Sequence, residues 1–259
     1  MVWNYLEISM KSSSGNLPRV IPVLLLKESA LYKTVKFADS KYVGDPINAV
    51  RIFNEKEVDE LVILDINASK DKKGPDYDLL ESIVSEAFMP IGYGGGVNSL
   101  LQAKRLFNLG IEKIIINSAL YQNESLLYDL VANFGSQSVV ACLDYKKNIF
   151  GKKYPVFLNA TKNKKVDLIT FAIHLESLGV GEIILHSVDR DGTFTGYDLE
   201  QIKAVSYAIN IPLVACGGAG KISDLADAIR AGASAVAAGS IFVFNGIHKA
   251  VLISYNNKI

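Results

Sequence analysis

Short apolar runs rich in valine, isoleucine and leucine recur along the chain, and between most of them the apolar residues stand three and four apart. The runs are "VIPVLLL" (20–26), "ELVILDI" (60–66), "PIGYGGG" (90–96), "KIIINSA" (113–119), "SVVACLD" (138–144), "EIILHSV" (182–188), "IPLVACGG" (211–218) and "AVAAGSI" (235–241). Their length and β-branched content read as strands, whereas "DPINAVRIFNEKEV" (45–58), "SLLQAKRLFNLG" (99–110) and "ISDLADAIRAG" (222–232) carry helical spacing. A strand that is apolar along its whole length is buried on both faces, which parallel strands joined by helical crossovers provide. Eight such units in about 240 residues predict an α/β chain closed into a (β/α)8 barrel rather than an open doubly wound sheet. A dinucleotide-binding open sheet would place G-x-G-x-x-G after its first strand, and "LLLKESAL" (24–31) has no glycine.

An internal repeat points the same way. "MPIGYGGGVNSLLQAKRLFNLGIEKIIINSAL" (89–120) matches "IPLVACGGAGKISDLADAIRAGASAVAAGSIF" (211–242), pairing Pro90 with Pro212, Gly95 with Gly217, Gly110 with Gly232 and Ser118 with Ser240, each 122 positions on. Glu60 and Glu182 match at the same offset. Two half-barrels of four units each account for this, with Leu25 and Asp144 at equivalent places, the ends of strands one and five. Residues 1–17 are read as an extension, and 18–259 as a single barrel domain.

Composition narrows the function classes. Nearly half the residues are hydrophobic, and Lys+Arg equals Asp+Glu at 27 each, so no electrostatic footprint for nucleic acid is present. No stretch approaches the roughly 18 apolar residues of a membrane span, and the N-terminus lacks the basic start and apolar centre of a signal peptide. Cys142 and Cys216 lie inside apolar runs, as reduced, buried thiols of a cytoplasmic protein do. His174, His186 and His248 show no ligand spacing among themselves or with the cysteines, so neither a metal nor a cofactor is expected.

In a barrel of this kind the chemistry sits at the C-terminal ends of the strands. Glycines let a backbone approach an anion, and successive N–H groups donate to it. "GGGVNS", through Gly95 and Gly96, would serve one phosphate together with Asn117 and Ser118. "GGAGK", through Gly217, Gly218, Gly220 and Lys221, would serve another with Gly239 and Ser240. The plainer role of these glycines is tight turns. Asp144 is placed for acid/base work or for capping a helix. Asp65 either orients substrate hydroxyls or caps the next helix, and Asp191, Gly192 and Thr193 belong to a polar turn, "DRDGT". His186, at the end of strand six, either touches ligand or is structural. Lys33, in a loop spanning 28–44, either reaches a phosphate or is solvated. At the opposite face Arg19, Glu60, Lys113 and Glu182 immediately precede or begin strands one, two, four and six, enough for a neutral ring across the barrel floor.

From about residue 19 to 245 the chain resembles the cyclase subunit family of imidazole glycerol phosphate synthase (HisF-like). The motifs that carry the resemblance are "GDPINAVRIFNEKEVDELVILDINAS", "GGGV", "IINSA", "FGSQSVVACLDYKK", "DRDGTFTGYD" and "CGGAGK". It implies a TIM barrel with two phosphate sites for a phosphorylated small molecule and a glutaminase subunit docked at the floor. It further implies that ammonia enters through a gate formed by Arg19, Glu60, Lys113 and Glu182. Family cyclases use an aspartate at the end of each of strands one and five. Asp144 matches the second, but Leu25 stands at the first, and a leucine carries no proton. With "LLLK" and "KTVKF", this departure resembles a divergent branch linked to acetamidino sugars of surface polysaccharide, in which ammonia passes to a separate sugar amidotransferase. The alternatives are a cyclase of L-histidine biosynthesis, forming imidazole glycerol phosphate and aminoimidazole carboxamide ribotide, and a non-catalytic scaffold that activates its glutaminase.

Overall fold

Eight parallel strands close into a ring among the described residues of the computed structural model, which are 18–246 and 248–255. Barrel strands one to eight run Arg19–Lys27, Leu61–Asp65, Ile91–Gly94, Lys113–Ile116, Val139–Lys147, Glu182–Ser187, Leu213–Cys216 and Ala235–Ala238. Each pairs in parallel with the next, and strand eight returns to strand one with Arg19 opposite Ala235. The fold is therefore a (β/α)8 barrel, as the apolar pattern predicts. The extension expected over residues 1–17 lies outside the described residues.

Burial on both strand faces produces two cores. Ile21, Val23 and Leu25 of strand one alternate with Val20, Leu24 and Leu26. The first set packs inside the barrel against Val62, Ile115, Val140, Cys142, Ile184, Val214 and Cys216. The second joins the layer between strands and helices, which includes Phe53, Ile83, Leu106 and Leu130. Helices Pro46–Glu55, Tyr77–Glu86, Leu100–Leu109, Ser125–Phe134, Leu168–Ser177, Leu199–Ala208 and Ile222–Arg230 form the outer layer. Five of them begin on a side chain that accepts an otherwise unpaired N–H of the first turn: Asp45, Asp76, Ser99, Asp167 and Asp198.

The two halves repeat in conformation as well as in sequence. Gly110 and Gly232 both end a helix with positive φ, 102° and 109°. Ser118 and Ser240 both open a short helix at the barrel mouth, Ser118–Gln122 and Ser240–Val243.

Two stretches differ from expectation. Residues 28–44 are not a loop: Ala30–Val35 and Ala38–Gly44 form an antiparallel hairpin, and its first strand pairs onto strand one with Leu25 opposite Tyr32. The turns at Glu28–Ser29 and Lys36–Phe37 place both residues at positive φ without glycine or asparagine, so the usual hairpin signal is missing. Likewise "YKK" after Asp144 continues strand five, which pairs antiparallel with Lys153–Phe157.

Candidate functional site

The C-terminal strand ends surround one cavity. Leu25, Lys33, Asp65, Asn117, Ser118, Asp144, His186, Asp191 and Gly192 line it, together with Gly94 to Gly96, Gly217, Gly218, Gly239 and Ser240. Both halves of the repeat thus meet at one opening. Thr193, Gly220 and Lys221 do not line it. Thr193 turns back into its own loop, its Oγ donating to the Arg190 carbonyl at 2.7 Å. The N–H groups of Gly220 and Lys221 donate to Asp224 Oδ2 at 2.8 and 3.1 Å, so a carboxylate of the chain holds the donors that the sequence assigns to a phosphate.

Tight turning is part of what the glycines do. Gly96 and Gly218 have positive φ, 69° and 114°, and a side chain on either would collide with a carbonyl, of Lys73 and of Gly196 respectively. Each lets one mouth loop cross against another. The Gly96 N–H donates to Ser69 Oγ at 3.3 Å, while Asn117 Nδ2 donates to the Cys142 carbonyl at 2.9 Å.

Lys33 is buried rather than solvated. The hairpin carries it over the barrel mouth, where Nζ donates to the Val23 carbonyl at 2.7 Å and rests against Gly239. Burial lowers its pKa below the ordinary lysine value, with Asp191 and Cys216 opposing. An anion at the Gly239–Ser240 turn would meet this ammonium directly.

Asp65 lines the cavity and holds a turn, but it does not cap the next helix, Tyr77–Glu86, which begins on Asp76. Asp65 Oδ1 accepts the N–H groups of Asn67 and Ala68, both at 3.0 Å. Burial nevertheless raises its carboxyl above the ordinary range.

Asp144 is buried on the inner wall. His186 Nδ1 lies 3.2 Å from Asp144 Oδ1, and its Nε2 lies 3.7 Å from Asp191 Oδ1. Cys142 Sγ donates to the same Asp144 oxygen at 3.4 Å. Burial disfavours the His186 imidazolium, but Cys216, Asp144, Asp191 and Cys142 outweigh it and hold the ring well above its ordinary pKa. Burial raises Asp191 as well, and His186, Lys33 and Thr34 more than reverse this, so its carboxyl stays below the usual range. Spacing along the chain puts no histidine beside a cysteine; barrel closure does, by laying strand six against strand five with His186 opposite Asp144. Cys142 was legible in principle, because a residue two before Asp144 on a strand shares its face. Ser69, Thr34 and Asn159, which also line the cavity, offered no such signal.

At the floor the four charges form a closed ring. Arg19 bridges Glu60 and Glu182, and Lys113 Nζ lies 2.8 Å from Glu60 Oε2 and 3.1 Å from Glu182 Oε2. Both carboxylates are buried, and the cations are partly exposed. Burial works against the Arg19 charge, but Glu182 and Glu60 overcome it and raise its pKa further. Between this ring and the mouth the barrel interior is apolar.

These features define a (β/α)8 barrel with a glycine-lined cavity at its mouth and an ionic ring at its floor. The chain belongs to the family described as "Histidine biosynthesis protein", whose model matches residues 19–248. It is 51% identical over 238 residues (92% of this chain, 95% of the relative) to a Pseudomonas aeruginosa protein provisionally named imidazole glycerol phosphate synthase subunit hisF2. A Leptospira interrogans protein, provisionally named imidazole glycerol phosphate synthase subunit HisF, is 46% identical over 243 residues, 93% of this chain and 96% of the relative. The imidazole glycerol phosphate synthase subunit HisF of Alkaliphilus metalliredigens is 38% identical over 231 residues, 88% of this chain and 91% of the relative. Among the described residues no helix is long and apolar enough to cross a membrane.

Proposed function

We propose that this HisF-family barrel is the ammonia-conducting subunit of a glutaminase-dependent synthase, and that it serves acetamidino-sugar formation rather than closure of the histidine imidazole. The observation that carries this reading is the pairing of a complete ionic ring at the floor with a leucine where the first acid/base carboxylate belongs. Leu25 is buried in the inner core and faces the cavity shared with Asp144.

The ring spans the floor, and the partly exposed edges of Arg19 and Lys113 are available to a docked glutaminase. Beyond the ring, Ile21, Val23, Val62, Ile115, Val140, Ile184 and Val214 offer a charged species no compensation for lost hydration, so ammonia crosses in its neutral form. At the mouth, Lys33 and the turns at Gly95–Gly96, Asn117–Ser118, Gly217–Gly218 and Gly239–Ser240 hold a phosphorylated small molecule, and Asp144 is the remaining carboxylate for proton transfer. Ammonia that is not consumed there passes to a separate sugar amidotransferase, which converts an N-acetyl sugar to its acetamidino form. Relatives at 46 to 51% identity carry provisional names, set apart from those named plainly HisF at 38 to 39%, and this grouping supports a distinct branch.

One observation favours the cyclase of histidine biosynthesis instead. His186, held between Asp144 and Asp191, is a second proton carrier at the mouth and would replace the carboxylate missing at Leu25.

Turnover of the formimino-ribulosyl phosphate precursor with ammonium supplied directly, in wild type and Leu25→Asp, separates the two. Ordinary cyclase turnover by the wild type, with rescue of a histidine auxotroph, would overturn the proposal. An inactive wild type with activity appearing in Leu25→Asp supports it. Inactivity of both leaves conduction as the barrel's task.

A further inference from the structure

Three different donor atoms converge on the inner wall of the mouth. Cys142 and Asp144 share one face of strand five, and His186 stands opposite Asp144 on strand six. One sulfur, one carboxylate oxygen and one ring nitrogen from these buried residues lie within 4.8 Å of one another. Asp144 Oδ1 is 3.2 Å from His186 Nδ1 and 3.4 Å from Cys142 Sγ. A tetrahedral ion with bonds of ~2.0–2.3 Å to oxygen, nitrogen and sulfur sets its donors roughly 3.3–3.8 Å apart. The two contacts of Asp144 stand at about that spacing, and the remaining sulfur–nitrogen separation is no more than 4.8 Å, so a small closure of the trio would complete it.

A second observation is independent of the spacing. His186 Nε2 is buried without a hydrogen-bond partner, and the nearest carboxylate oxygen of an ion pair, Asp191 Oδ1, is 3.7 Å away. A histidine that ligates through one nitrogen characteristically donates the other N–H to a carboxylate, which fixes the ring and its tautomer. Asp191 is held ready for this by the Thr34 hydroxyl, 3.2 Å from its other oxygen. With Nδ1 protonated and shared with Asp144 alone, the Nε2 side of the ring has no good partner. With Nδ1 on a cation, a small ring rotation satisfies Nε2–H.

We propose that Cys142, Asp144 and His186 form a binding site for a zinc-like divalent cation at the barrel mouth, with its fourth position facing the cavity; an occupied site withdraws Asp144 and His186 from proton transfer and leaves the conduction role of the barrel untouched. A thiolate, an imidazole and one carboxylate suit zinc or cobalt and not magnesium or calcium, which take oxygen ligands. On binding, the Cys142 thiol proton and one proton of the doubly protonated His186 ring, that on Nδ1, leave to solvent while Nε2 keeps its own for Asp191, so uptake weakens at low pH. The open position would take water or an oxygen or nitrogen of the bound ligand. Cys216 stands opposite His186 on strand seven and lines the same cavity, which makes it the sulfur to distinguish from Cys142.

The test uses the tag-free full chain dialysed against cobalt(II), followed by absorption spectroscopy and metal analysis, then zinc competition. The expected result is one ion per chain, with a thiolate-to-cobalt band and the visible bands of a tetrahedral site. The thiolate band disappears in Cys142→Ser and persists in Cys216→Ser, and Asp191→Asn weakens affinity ~10- to 100-fold through the ring it orients. Far-ultraviolet circular dichroism verifies that each variant is folded. Should Cys142→Ser fail to fold, protection of Cys142 from a thiol reagent by zinc in the wild type is the second readout. Substoichiometric uptake, a spectrum without a thiolate band, a band lost only in Cys216→Ser, or no protection of Cys142 would each overturn the site.

Discussion

Gly239→Ala tests whether Lys33 occupies the place at the barrel mouth from which it would meet an anion. Gly239 has φ of −114°, so the backbone accepts a side chain there without strain. The obstacle is Lys33: a methyl group on Gly239 would land on Nζ and sit 3.0 Å from the Val23 carbonyl that Nζ now engages. The ammonium must leave, giving up a charge-assisted bond worth about 1.5–3 kcal/mol. Rehydration of the displaced ammonium returns part of that, and the tight contact with the carbonyl adds ~1 kcal/mol of overpacking. The expected net loss is about 2–3 kcal/mol, or a fall in Tm of roughly 4–12 °C for a chain of this size. Denaturant unfolding followed by far-ultraviolet circular dichroism and by tyrosine fluorescence measures it, coincident transitions verifying two-state behaviour. The same substitution in a Lys33→Ala background should cost only about 1 kcal/mol, that of the carbonyl contact, because the displaced group is gone. Equal costs in the two backgrounds, within about 0.5 kcal/mol, would refute the placement of Lys33.

Two further outcomes follow from the ion pairs. Glu60→Gln leaves Arg19 and Lys113 sharing Glu182 alone; because both cations are partly exposed the loss is discounted to about 1–2 kcal/mol, read as a lower Tm with an unchanged denaturant m-value. No shift in Tm would show that the ring contributes nothing to the fold. Burial raises the Asp198 carboxyl, but Lys153, Tyr145 and the Gln201 N–H more than offset this and hold it below the ordinary range. A depressed carboxyl contributes stability that is complete above its unfolded pKa, about 3.9, and is lost as pH falls through the lower folded value. Asp198→Asn, which keeps a helix cap, should therefore cost ~1–2 kcal/mol at pH 7, with the gap to wild type closing below about pH 4. A gap that is independent of pH would contradict the pairing with Lys153 at 2.9 Å.

Much of the fold and part of the site are written in the chain itself. Apolar runs buried on both faces read as inner strands of a parallel α/β fold, eight units in about 240 residues favour the closed barrel, and the 122-residue offset alone pairs Glu60 with Glu182. Strand-start charges on strands one, two, four and six did meet in a ring, because closing eight strands brings their first residues to a common rim. Leu25 and Asp144 could likewise be read as facing one opening. What the sequence could not disclose depends on which loops lie over the mouth. Lys33 reads as a loop lysine, since neither turn that folds its hairpin back contains a glycine or asparagine, and only the hairpin's pairing to strand one buries it. Gly220 and Lys221 read as phosphate donors until the helix that follows supplies Asp224 to accept their N–H groups. His186 lies 42 residues from Asp144 and 5 from Asp191 with no motif joining the three. Local pattern records which face of a strand a side chain takes, whereas strand neighbours and loop crossings are set by closure of the whole ring, so the convergence of Cys142, Asp144, His186 and Asp191 belongs to the tertiary structure alone.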